Sequence, residues 1–182
     1  GVFTKIMLSG TAGNSTGIAW GDYDTDGDLD LAVAHSGDAA YVARNDGGGS
    51  FVKTVLSGTG GDARHVAWGD YDNDGDLDLV ATKLSGGDSY VARNDGVGAF
   101  TVIMLAGTVN SYGVAWGDYD NDGDLDAGLG RWSGQDESVL RNDISTSTLA
   151  PTGPVTSGAN LSLVYDQFGA ALRSAAAGSV GD

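Results

Sequence analysis

Short runs of apolar and β-branched residues, each closed by Gly, Asp, Asn or Ser, fill residues 1–143, and none of them carries a 3.6-residue period. Four such runs stand out in the middle of the chain: Phe51–Leu56 (FVKTVL), Arg64–Asp70 (RHVAWGD), Leu77–Lys83 (LDLVATK) and Ser89–Asp95 (SYVARND). Their Val, Thr, Tyr, Trp and Phe content predicts four short strands joined by tight turns. The unit is read as opening on its Phe strand.

The same unit occurs three times. Ala19–Asp30 reads AWGDYDTDGDLD, and both Ala67–Asp78 and Ala115–Asp126 read AWGDYDNDGDLD, so Trp20, Trp68 and Trp116 follow one another at intervals of 48 residues. Arg-Asn-Asp recurs at Arg44–Asp46, Arg93–Asp95 and Arg141–Asp143, and an apolar run opens at Phe3, Phe51 and Phe100. Insertions and deletions between copies fall in Gly/Ser-rich stretches, which marks those stretches as loops. Four short antiparallel strands per unit of this length describe one blade of a β-propeller. The expected fold is therefore all-β: three tandem four-stranded blades over residues 1–143, with an extension over 144–182. That extension holds both prolines, Pro151 and Pro154, among Ser, Thr, Gly and Ala. Only residues 161–168 (LSLVYDQF) look like a strand there, either inside a tail or as a strand offered to another subunit.

Each unit contains five aspartates alternating over nine residues: Asp22, Asp24, Asp26, Asp28 and Asp30; Asp70, Asp72, Asp74, Asp76 and Asp78; Asp118, Asp120, Asp122, Asp124 and Asp126. On one face of an extended strand these like charges would repel one another. A loop closed around a divalent cation removes that penalty. Calcium takes six to eight oxygens, so positions 1, 3 and 5 supply carboxylates, position 7 a backbone carbonyl, and position 9 closes the site. Gly27, Gly75 and Gly123 at position 6 allow the turn. An EF-hand would need a bidentate Glu at position 12, where this chain has Val33, Ala81 and Leu129. The nonapeptide β-roll is excluded by the 48-residue period. Magnesium, which demands a rigid octahedron, suits such loops less well.

Charge agrees. The formal net charge is −16, with Lys and Arg together numbering 9. This disfavours nucleic acid and anionic membrane surfaces as partners, and three calcium ions would bring the charge to −10. With no cysteine there can be no disulfide or thiolate site, and calcium becomes the expected staple. No run approaches the ~20 apolar residues of a membrane span. The start at Gly1, without Met or leader, reads as a processed or trimmed product.

These loops and their strands resemble the FG-GAP/VCBS repeat family, which includes the integrin α-subunit propeller, over residues 1–143. The resemblance implies D-x-D-x-D-G-x-x-D loops between adjacent strands of a blade, a structural calcium in each, extracellular or cell-surface placement, and adhesion or ligand binding. Family propellers usually have seven blades; this chain has three, and three cannot close a ring. It is expected either to be a fragment of a larger cell-surface propeller or to self-associate into a ring or filament.

Trp20, Trp68 and Trp116 are expected to pack in the core or between blades, and Tyr23, Tyr71 and Tyr119 to cover the ion. Arg44, Arg93 and Arg141 are expected in structural ion pairs. His35 and His65 do not share a register, so no common metal or catalytic role is assigned to them. Trp132, present in the third unit alone, is a candidate contact site. No G-x-S-x-G, H-E-x-x-H or cysteine nucleophile is present, and no enzymatic activity is expected. The leading reading is a calcium-stabilised extracellular structural or adhesion module; the alternative is a lectin-like glycan binder.

Overall fold

The computed structural model describes residues 1–96 and 98–143, and the backbone of residues 161–165 and 171–175. The chain divides into two compact units, Gly1–Asn142 and Asp143–Asp182. Among the described residues there is no helix.

The first unit holds three antiparallel sheets. Strands β1 (Ser15–Gly21), β2 (Asp30–His35), β3 (Tyr41–Asn45) and β4 (Phe51–Val55) pair in chain order, as do β5 (Asp62–Gly69), β6 (Asp78–Ser85), β7 (Tyr90–Asn94) and β8 (Phe100–Met104). The third sheet contains three strands: β9 (Ser111–Gly117), β10 (Asp126–Arg131) and β11 (Ser138–Leu140). The aspartate loop joins the first strand of each sheet to the second, so the first residue pair beyond it is Gly21–Asp30, Gly69–Asp78 or Gly117–Asp126.

Two expectations are corrected here. The Phe strand does not open the repeat; it closes the sheet before it, because Phe51 pairs with Asn45 and Phe100 with Asn94. The equivalent run at residues 1–8 forms no strand, and Val2 and Phe3 are fully exposed. The third sheet accordingly has three strands rather than four among the described residues. Residues 148–153 (TLAPTG) stand where its fourth strand would fall, and they carry Pro151 in place of an apolar alternation.

Burial follows from sheet stacking. The second strands are buried along nearly their whole length, which suits their continuous apolar runs. Ala32, Ala34 and Val42 of the first sheet meet Val66, Leu79, Ala81, Tyr90 and Ala92 of the second in the main core. The opposite face of the first sheet (Leu31, Val33, Tyr41 and Ala43) is covered by Leu8 and Phe51. Each outer strand ends in a turn of the form Leu-Ser/Ala-Gly-Thr. Thr59 Oγ1 donates to Leu56 O (2.6 Å) and accepts from Ala40 N (2.9 Å). Thr108 repeats this with Leu105 O and Ser89 N.

In the second unit, β12 (Leu161–Tyr165) pairs antiparallel with β13 (Ala171–Ala175). β12 was expected from the sequence within 161–168. β13, in the small-residue run GAALRSAAAG, was not.

Candidate metal centres

Each aspartate loop is folded by its own carboxylates. The position-1 aspartate caps the turn: Asp22 Oδ2 accepts from Gly27 N (3.0 Å), Asp70 Oδ2 from Gly75 N (3.0 Å) and Asp118 Oδ2 from Gly123 N (3.2 Å). These glycines have φ of 94–97°, a backbone region closed to most side chains. Position 4 is also left-handed, at Thr25, Asn73 and Asn121; Asn tolerates this better than Thr. The position-5 aspartates Asp26, Asp74 and Asp122 each accept from the backbone N–H two residues on.

The position-9 aspartates are buried and do two things at once. Asp30 accepts from Tyr23 N (3.1 Å) and Asn45 N (2.7 Å). Asp78 accepts from Tyr71 N and Asn94 N, and Asp126 from Tyr119 N and Asn142 N. The carboxylate therefore ties the loop to the end of the sheet's third strand. That tie uses the backbone of the recurrent Asn of Arg-Asn-Asp; its side chain, to which the sequence had assigned no role, accepts from Gly47 N at Asn45 and from Gly96 N at Asn94, and its Nδ2 donates to Leu29 O, Tyr23 O or Tyr71 O.

Carboxylate oxygens converge within 4.8 Å of one another in three groups: Asp22, Asp24 and Asp30; Asp70, Asp72 and Asp78; Asp118, Asp120 and Asp122. Asp28, Asp76 and Asp124 at position 7 lie outside these groups, as do Asp26, Asp74 and Asp126. Asp124 turns toward the neighbouring loop, where its Oδ1 accepts from Asn73 Nδ2 at 2.7 Å.

The donor set fits a hard divalent cation. Asp22 Oδ1 and the Oδ1 atoms of Asp24, Asp72 and Asp120 at position 3 are buried without a hydrogen-bond partner, and such orphaned charged acceptors are costly. Burial pushes the Asp30 and Asp72 carboxyls above their ordinary range, and Asp74 adds to the rise at Asp72. Burial pushes Asp78 up to about 7. Desolvation and the charge of Asp122 raise Asp120. Clustered carboxylates in this state lack positive charge, and the nearby arginines supply part of it. Arg44 pairs with Asp46 (2.8 Å) and approaches Asp24 (3.9 Å), while Arg93 pairs with Asp95 (2.7 Å) and Arg141 with Asp120 (3.0 Å). The arginines thus form the ion pairs expected of them, and two of them reach position 3 of the loop.

Tyr23, Tyr71, Trp68 and Trp116 belong to the sheet interfaces, whereas Trp20, expected to pack likewise, is 56% exposed. Tyr23 and Tyr71 are buried, and they stack on the tryptophan of the next sheet: Tyr23 on Trp68 at 5.9 Å, Tyr71 on Trp116 at 6.4 Å. Trp68 Nε1 donates to Ala19 O and Trp116 Nε1 to Ala67 O. Asn94 Nδ2 and Asn142 Nδ2 donate to Tyr23 O and Tyr71 O of the preceding loops. The tyrosines of the first two loops are thereby gripped by the sheet that follows. His35 is buried against Tyr41, with Nε2 3.2 Å from Ser15 Oγ, away from the loops. Trp132 stacks on Tyr112 at 5.5 Å, and both are half-exposed.

Residues 22–81 match the model of the FG-GAP-like repeat family. This segment runs from the first aspartate loop into β6, so the chain carries an FG-GAP-like repeat where the motif resemblance placed it. No curated protein matches the chain.

Proposed function

We propose that this chain is a calcium-stabilised extracellular module, structural or adhesive rather than enzymatic, built from propeller-type blades that associate with further copies of the chain. The observation that carries the reading is a three-aspartate cluster in each of three successive loops, built on positions 1, 3 and 9 in the first two and on positions 1, 3 and 5 in the third, with buried position-3 oxygens left without a partner. Asp22, Asp24 and Asp30, Asp70, Asp72 and Asp78, and Asp118, Asp120 and Asp122 would hold the ions, with position 7 contributing its backbone carbonyl. A bound calcium offsets most of the cluster's charge and fixes the hairpins that present Tyr23 and Tyr71 to the next sheet. FG-GAP-type repeats suggest an extracellular repeat module, and millimolar calcium outside cells matches the ~10⁻⁴–10⁻³ M affinities of such modules. No helix among the described residues is long and apolar enough to cross a membrane.

Sedimentation of the chain in calcium and in chelator tests the reading. Association that depends on calcium supports it, and a monomer in both conditions contradicts self-association. A second reading, a glycan-binding module, draws on the half-exposed Tyr112–Trp132 stack. Glycan-array binding that Trp132→Ala abolishes would favour it.

A further inference from the structure

Position 4 of the aspartate loop differs between the first two copies: it is Thr25 in one and Asn73 in the other. Both residues hold a left-handed backbone with φ of 58°, so both present a side chain at the same point of the turn. The Asn73 amide reaches out of its own loop. Its Nδ2 donates to Asp124 Oδ1 at 2.7 Å and, more weakly, to Gly123 O at 3.4 Å, which are positions 7 and 6 of the third loop. Thr25 turns back instead, its Oγ1 donating to Asp24 O at 2.8 Å. Among the described residues no hydrogen bond joins Thr25 to Asp76, which stands one repeat before Asp124.

The receiving end is tied to the third carboxylate cluster. Asp124 is 5% exposed and lies outside the group formed by Asp118, Asp120 and Asp122. Its N–H donates to Asp122 Oδ1 (3.0 Å), and Gly123 N donates to Asp118 Oδ2 (3.2 Å). The dipeptide that Asn73 grips is therefore bonded to two of the three clustered aspartates. Burial and the charge of Asp122 raise the Asp124 carboxyl, and the bond from Asn73 opposes that rise. A buried carboxylate deprived of such a donor is costly. Asp76, at the same place in the second loop, is half-buried.

We propose that Asn73 couples the second and third loops, so that each binds calcium more tightly when the other is loaded, and that the first and second loops lack this link. This deepens the calcium reading above and rests on it. Asn73 stands between Asp72 and Asp74, and Asp72 belongs to the second carboxylate cluster. Ordering of the second loop fixes the amide, and the amide holds Gly123 and Asp124 with their bonds to Asp118 and Asp122. A loop already held in its binding conformation loses less entropy when it takes its ligand. Linkage makes the effect reciprocal. The tyrosine–tryptophan stack is common to both junctions, so a difference between the two loop pairs falls to position 4. Asn73 is a positioning residue, since its amide acts through Asp124 and enters neither cluster.

Full-length chains with one loop disabled separate the two pairs. Asp24→Asn leaves the second and third loops to bind, and Asp120→Asn leaves the first and second. Calcium binding to each chain is followed by equilibrium dialysis. The Asp24→Asn chain should take up its ions with a Hill coefficient of about 1.4, the value for about fivefold coupling of two equal sites, and the Asp120→Asn chain with one of about 1. Adding Asn73→Thr to the first chain should return its coefficient to about 1. Adding Thr25→Asn to the second should raise its coefficient, because the new amide stands one repeat before Asn73 and faces Asp76; asparagine also suits φ of 58° better than threonine does, so this variant keeps the fold. Independent binding in the Asp24→Asn chain would overturn the proposal while leaving calcium binding standing. So would cooperativity that Asn73→Thr leaves unchanged, even if that variant lowers the melting temperature in chelator, because Asn73 would then be a structural tie alone. No ion bound by any of the chains would overturn both the proposal and the calcium reading.

Discussion

The Tyr23 and Trp68 rings lie parallel, 5.9 Å apart with an interplanar angle of 2°, although one belongs to an aspartate loop and the other to the first strand of the next sheet. Tyr23 is also pinned at both backbone atoms: its N–H is held by Asp30 and its carbonyl by Asn94. The aspartate loop and the inter-sheet contact are therefore one piece of structure. Trp68→Ala should cost about 3–5 kcal/mol, the range for emptying a large aromatic site. Trp20→Ala, at a half-exposed ring, should cost far less in the dilute chain. Denaturant unfolding of both variants checks the contrast.

Gly69 carries a sharper steric constraint than its place in a strand suggests. A methyl group there would lie 2.6 Å from Trp116 and 3.0 Å from Leu125. Gly69→Ala should destabilise the chain by about 1–3 kcal/mol through overpacking. A melt indistinguishable from that of the unmodified chain would mean that the second and third sheets do not meet as described.

Two aspartates of one loop should respond differently to substitution. Asp72→Asn removes a charge whose Oδ1 has no hydrogen-bond partner, so in chelator its effect on stability should be near zero or slightly positive, while calcium should stabilise the variant less. Asp78→Ala removes the acceptor of Tyr71 N and Asn94 N. It should cost on the order of 3 kcal/mol even in chelator, because hydrogen bonds to charged groups contribute about 1.5–3 kcal/mol each. Thermal melts of the two variants in calcium and in chelator distinguish a ligand from a ligand that is also a structural tie.

Lys83 is a buried cation away from the loops; its Nζ is 3.5 Å from Gly86 O and 5.8 Å from the Tyr90 ring centre. Burial lowers its pKa below the ordinary lysine value. A lowered folded-state pKa means that the fold disfavours the charged amine, so this group's contribution to stability improves as pH rises toward the ordinary lysine range. Lys83→Met should raise stability at pH 7 by about 1 kcal/mol and flatten the dependence between pH 7 and 10. Melting curves across that range provide the check.

The aspartate loops and the all-β repeat were legible in the sequence because their signals are local: alternating carboxylates, Gly at position 6, and turn residues at fixed offsets. The phase of the repeat was not. A run such as Phe51–Val55 fits equally well as the first strand of one sheet or the last strand of its predecessor, and only its pairing with Tyr41–Asn45 decides. The partners of Tyr23 lie in another repeat, at Trp68, Asn94 and Phe100. No local pattern within one repeat reveals that its tyrosine stacks on the next sheet. The recurrent Asn of Arg-Asn-Asp and the Leu-Ser/Ala-Gly-Thr turn were visible as repeats, but their hydrogen bonds cross strands and could not be assigned from spacing alone.

The central claim is that the three aspartate loops hold calcium and that the fold draws stability from it. Melting temperature as a function of calcium, paired with a count of bound ions by equilibrium dialysis, tests it most directly. Three ions per chain are predicted, with stabilisation of about 1.4–2.7 kcal/mol per site at calcium concentrations 10 to 100 times Kd. An unchanged melting temperature between saturating calcium and chelator, with no ion retained, would contradict the account.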